Sequence, residues 1–84
     1  MRLRDVKQGD RFIEEDHGRA ILLEALESAR EVNDAEKRRH GHECRARVIR
    51  GDACMADDDG VLTLFECHNP GGYGLNLYPA NDPI

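Results

Sequence analysis

The sequence predicts a single α+β domain over residues 1–84, with one amphipathic helix packed on an antiparallel sheet of three to five strands. Three observations predict it: helical spacing of apolar residues between 19 and 32, period-two alternation beyond Gly41, and Gly and Pro turn signals between the later segments. A chain of 84 residues has room for one modest core, which excludes a multi-domain enzyme.

The first element expected is a short strand. Val6, Lys7, Gln8, Gly9 and Asp10 carry a Gly-Asp turn signal, and Arg11, Phe12, Ile13 and Glu14 follow as a candidate strand in a leading hairpin. From Arg19 the spacing changes. Leu22, Ala25, Leu26, Ala29 and Val32 fall at i, i+3, i+4, i+7 and i+10, on one face of a helix, with Glu24, Glu27 and Glu31 outward. Acidic Glu14, Glu15 and Asp16 precede this run, while Lys37, Arg38, Arg39 and His40 close it before Gly41, which suits a helix dipole and its C-terminal cap. The competing architecture is a mainly-β, SH3-like small barrel in which residues 20–32 form one long strand. That arrangement turns Glu24 or Glu27 towards the core, which weighs for the helix.

After Gly41, Cys44, Ala46 and Val48 alternate with Glu43, Arg45 and Arg47, the pattern of a half-buried strand. Residues 61–67 and 73–78 read as two more strands, separated by the turn signal Asn69, Pro70, Gly71, Gly72. These three are expected to form the antiparallel sheet.

The net charge of −5 is unevenly placed: six basic residues between 37 and 50 against Glu43 alone give that segment +5, so the remainder carries −10. Such asymmetry fits either an internal charge complement or a surface for a charged partner. The odd count of three cysteines, Cys44, Cys54 and Cys67, argues against a disulfide framework and for a reducing, cytoplasmic setting. The chain shows no apolar leader at Met1, and its longest apolar run is far too short to span a membrane.

Imidazole and thiolate together make a zinc ligand set, so His42, Cys44, Cys67 and His68 are the candidate metal residues if their strands are neighbours, with His40 an alternative ligand. Against zinc stand the absence of C-x-x-C or H-x-x-x-H spacing and the common burial of free cysteine. Asp57, Asp59, Gly60 and Glu66 partly satisfy a calcium-loop template, but Met55 stands where the first carboxylate belongs, and a solvated hairpin turn accounts for the segment better. Gly71, Gly72 and Gly74 lack the spacing and the following helix of a phosphate loop. No pair of nucleophile and base is favoured by position, so the chain reads as no enzyme and as requiring no cofactor other than a zinc. Arg38, Arg39, Arg45 and Arg47 form a basic belt that suits phosphates, though without interleaved aromatic residues for base stacking. Tyr73 and Tyr78 supply aromatic anchors of the kind enriched in protein interfaces.

The segments Arg47-Val48-Ile49-Arg50-Gly51, Leu64-Phe65-Glu66 and residues 71–78, with the opening Val6-Lys7-Gln8-Gly9-Asp10, resemble short accessory proteins of actinobacterial phages over about half the chain. The resemblance implies a small cytoplasmic protein that binds and inhibits or redirects a host factor, defence components included, and it transfers no catalytic residue. The leading functional expectation is therefore a non-enzymatic interaction module. It would bind a host or phage protein through a charged surface at Arg38, Arg39, Arg45, Arg47, Tyr73 and Tyr78. The alternative is a zinc-stabilised nucleic-acid-binding module, and a domain this small also gains from a homo-oligomer.

Overall fold

A computed structural model describes residues 1–16, 18–37, 39–53, 55–68 and 75–80. Among these residues there is no α-helix: one 3-10 turn, Leu3–Asp5, precedes β1 (Arg11–Asp16), β2 (Arg19–Ala25), β3 (Arg30–Asp34), β4 (Arg39–Arg50), β5 (Val61–Cys67) and β6 (Leu77–Pro79). The α+β expectation is thus overturned; the described residues are nearly all-β, forming a six-stranded antiparallel sheet in the class of the mainly-β alternative.

The helical reading fails at residues 19–34 because strand pairing on both sides overrides local propensity. β2 pairs with β1 through Arg11↔Glu24 to Asp16↔Arg19, and with β4 through Leu23↔Val48 and Ala25↔Ala46. In that setting Ile21, Leu23 and Ala25 alternate inward and are buried. A bend over residues 26–29 then resets the phase before β3. Neither Glu24 nor Glu27 is driven into the core, since both carboxylates meet arginines, Arg11 for the first and Arg30 and Arg45 for the second. The segment ahead of β1 fastens the bend. Ala29 N–H donates to the Val6 carbonyl, Gly9 N–H to the Ala25 carbonyl and Gln8 N–H to Ser28 Oγ.

β4 organises the sheet. Gly41 pairs with Val32 of β3 and with Cys67 of β5, while Ala46 pairs with Ala25 of β2 and with Leu62 of β5. One edge of β4 is therefore shared end to end by β3 and β2, and the other is held by β5. β1 continues outward from β2 and β6 from β1, giving the order β3-β4-β2-β1-β6 with β5 on the far side of β4.

The alternation expected for residues 44–48 holds, with Cys44 and Ala46 buried. Strand 61–67 also lies where the sequence placed it, whereas β6 pairs with β1 and not with β4 or β5. The core combines Leu3, Val6, Phe12, Leu23, Leu64 and Leu77 with their buried neighbours. Burying such side chains contributes about 1.5–3 kcal/mol each.

The acidic run at 57–60 is a hairpin turn. Asp57 Oδ1 accepts from Asp59 N–H at 2.9 Å and from Val61 N–H at 3.0 Å, and Gly60 takes φ +76°, a conformation open to glycine.

Candidate functional site

The antiparallel register decides which chemical groups meet. On the inner face of the β4–β5 pair, Ala46 lies opposite Leu62, Cys44 opposite Leu64 and His42 opposite Glu66. The core face therefore turns polar towards one end. Glu66 is only 3% exposed, and its Oε1 accepts from Arg2 Nε at 2.9 Å. That bond, the charge of Glu66 and, more weakly, that of Asp5 raise the pKa of Arg2. His42 Nδ1 and His68 Nε2 lie 2.6 Å apart, a hydrogen bond that requires one ring to donate and the other to accept. His40 stands edge-on to His68 at 5.3 Å between centroids, and its Nε2 lies 3.6 Å from Glu31 Oε1. Desolvation first, then the neighbouring His42, His40, Arg2 and Arg4, hold His68 below its ordinary pKa. The cluster therefore favours an uncharged His68.

Of the candidate zinc residues, the structure brings His42 and His68 together and separates both cysteines from them. Cys44 is fully buried, and its thiol donates to the Glu27 carbonyl at 3.2 Å. Burial pushes that thiol up to about 11, so it stays protonated at neutral pH. Cys67 lies opposite Gly41, three positions along β4 from Cys44 and of opposite parity, so the two thiols face different sides of the sheet. Among the described residues no group of three or more His, Cys, Asp or Glu is placed to hold a metal ion. Sequence spacing indicated that both cysteines sit on strands, but register and parity are set by pairing.

The outer face carries the basic belt, in which Arg45 is paired with a carboxylate, and on the same face Arg30 and Arg11 are paired as well. Arg30 Nη2 meets Glu43 Oε1 at 2.5 Å, Arg45 Nε meets Glu27 Oε1 at 3.5 Å, and Arg11 meets Glu24 at 3.4 Å. The Glu43 hydrogen bond, then the charges of Glu27 and Glu43, raise the Arg30 pKa. Arg39 lies over the Phe65 ring, 4.4 Å from its centroid. Arg47 and Arg50 make no ion pair among the described residues. Arg38 and Tyr73, like the glycines at 71, 72 and 74, lie outside them.

Next to these arginines runs an apolar row that sequence reading missed. Tyr78 pairs with Ile13 and Ile13 with Leu22, so three strands place these side chains side by side on the outer face. At the β4 bulge, where the partner of β2 jumps from Val48 to Arg50, Ile49 is the extra residue. Tyr78 is 50% and Ile49 40% exposed. The available signal was the period-two alternation of Phe12 and Ile13, which implies an outward Ile13 once Phe12 is buried.

A groove of about 490 Å3 opens beside β5. Among the described residues it is lined by Leu62 to Phe65 of β5, by Glu14, Arg19 and Ile21, and by the loop residues Asp52, Ala53, Met55 and Leu75. Strands β5 and β1 are separated in the sheet by β4 and β2, so a groove touching both shows that the sheet curls.

No family model, curated protein or solved structure matches the chain. Among the described residues, no helix is long and apolar enough to cross a membrane.

Proposed function

We propose that the chain is a non-enzymatic interaction module that binds and modulates a protein of the host cell, a defence component being one such target, through its outer sheet face. The observation that carries this reading is the Tyr78, Ile13, Leu22 and Ile49 row bordered by Arg47 and Arg50, which make no ion pair among the described residues. An apolar centre with an aromatic anchor and an arginine rim is the composition that distinguishes interface cores from ordinary surface. The partner that complements it presents an apolar patch edged by carboxylates. The reading keeps the chain in the cytoplasm, where the free thiols of Cys44 and Cys67 remain reduced. Nucleic-acid binding has less support, because Arg45 is engaged by Glu27 and Arg39 is stacked on Phe65.

The test is capture of a stoichiometric partner by tagged wild type, repeated with Tyr78→Ala and Arg47→Glu. Interface hot spots of these residue types cost about 2 kcal/mol or more, roughly thirtyfold in affinity, so each variant should release the partner while melting as wild type does. Retention of the same partner by both variants, or repeated captures with no enriched protein, sinks the reading.

A further inference from the structure

The polar end of the inner face brings imidazole rings from two strands onto one point. His68 N–H donates to the His40 carbonyl at 2.9 Å, which carries the β4–β5 pairing one step past Cys67 and sets His40 opposite His68. His42 is then the diagonal neighbour of His68 on the same face, a separation that long side chains bridge. They do bridge it, with His42 Nδ1 and His68 Nε2 at 2.6 Å.

Two ring nitrogens aimed at each other are the donors of a chelate. Imidazole nitrogens bind zinc at about 2.0–2.1 Å, so two of them on one ion stand about 2.9–3.4 Å apart for angles between square and tetrahedral. Opening the 2.6 Å contact by less than about 1 Å reaches that span, a displacement within the scope of side-chain rotation. The ligand form of histidine is the uncharged ring, and desolvation, with the neighbouring His42, His40, Arg2 and Arg4, already favours that form of His68. Both rings are half-buried, so the point where they meet stays within reach of solvent ions.

The surroundings decide how many ligands the chain supplies. Cys44 keeps its proton and donates to the Glu27 carbonyl, Cys67 faces the other side of the sheet, and His40 Nε2 is turned to Glu31. Among the described residues no third His, Cys, Asp or Glu completes the set, so the remaining coordination positions fall to water. Arg2 and Arg4 oppose a cation here. Arg2, however, is bound to Glu66, and Glu31 lies directly opposite His42, so the same face carries two carboxylates.

We infer that His42 Nδ1 and His68 Nε2 bind one Zn2+ ion in place of their hydrogen bond and so clip β4 to β5. The site keeps two of the four ligands expected from the sequence and dispenses with both cysteines. A nitrogen donor pair selects zinc and its transition-metal neighbours over magnesium and calcium, which take oxygen ligands. Because the two rings meet only when β4 and β5 are paired, the ion stabilises the folded chain by mass action. None of these residues belongs to the outer-face row, so the inference stands apart from the partner reading.

The experiment titrates ZnCl2 into the full chain labelled with 15N and follows the imidazole nitrogens at neutral pH. His42 Nδ1 and His68 Nε2 should shift together and saturate at one zinc per chain, with His40 little changed. His42→Ala and His68→Ala should each weaken binding by about tenfold or more, since even a group that only orients a metal ligand is worth about 10–100-fold. MgCl2 at the same concentration should move none of the rings. Should either variant fail to fold, the nitrogen shifts of the wild type carry the test alone. No shift at about 1 mM zinc, a shift in one ring only, or an equal response to MgCl2 overturns the inference. So does saturation at one zinc per two chains, which would assign the ion to a bridge between copies. Failure to capture a partner leaves this result unaffected, so the two readings fail separately.

Discussion

Replacing Gly41 with alanine should be among the most damaging single-methyl changes available to this protein. A Cβ built there would press on the Glu66 carbonyl oxygen well inside contact distance and on Phe65 Cζ at 2.9 Å. The oxygen is backbone in a hydrogen-bonded ladder and cannot swing away, so β5 must move off β4 at the end where Gly41 pairs with Cys67. Overpacking of a well-filled site costs about 1–3 kcal/mol, and a clash against backbone belongs at the upper end. For a domain of this size about 3 kcal/mol lowers the melting temperature by roughly 12–24 °C. The whole stability of 84 residues is only about 4–13 kcal/mol, so a visible unfolded fraction at 25 °C is within reach. Far-UV circular dichroism under thermal and urea denaturation reads this directly. Gly9→Ala is the control, since Gly9 has φ +88° but open space around its missing Cβ, and backbone strain there costs only about 1–2 kcal/mol. Adding Phe65→Leu to Gly41→Ala should recover little, because the carbonyl contact remains. A Gly41→Ala protein that melts within about 4 °C of wild type, or above Gly9→Ala, would refute the close approach of β4 and β5.

Two further outcomes concern the polar end of the core. Arg2→Ala leaves the buried Glu66 carboxylate without its partner and should lower the urea midpoint; a double-mutant cycle with Glu66→Gln showing no coupling would count against the pair. His68 is a base whose folded pKa is lowered, so its contribution to stability is present above the ordinary value of 6.5 and is lost as pH falls through the lower folded value. Urea midpoints should therefore drop on acidification from pH 7.5 to 5 more steeply in wild type than in His68→Asn, and identical slopes would exclude the histidine cluster as the cause.

The parts of the fold legible in the sequence were those with one-sided burial. The alternation of Cys44, Ala46 and Val48 identified β4, and the apolar run at 61–67 identified β5, because period two follows from the pleat alone. Residues 19–34 were not legible, since Leu22, Ala25, Leu26, Ala29 and Val32 satisfy a helical face and a bent strand equally well. The decision came from β1 on one side and β4 on the other, which local spacing does not contain. For the same reason Arg45 and Arg47 were placed on one strand face, yet the carboxylate that meets Arg45 belongs to Glu27 in the bend, eighteen positions earlier. Cys44 and Cys67 were assigned to neighbouring strands but to a shared site, and the parity of their pairing undid that.

β4 must meet strands that come before it and one that comes after it, and this sets the order in which the domain can form. Only the β1–β2 hairpin can pair before residue 39 is made, and it has little to bury itself against until β4 lays Cys44 and Ala46 beneath it. Sheets assembled from such distant partners fold in about milliseconds to seconds, far slower than helical domains of equal size. During synthesis the hairpin therefore waits with Ile21 and Leu23 uncovered, and the interval until β4 docks is when this small chain is most open to chaperones, proteases and aggregation.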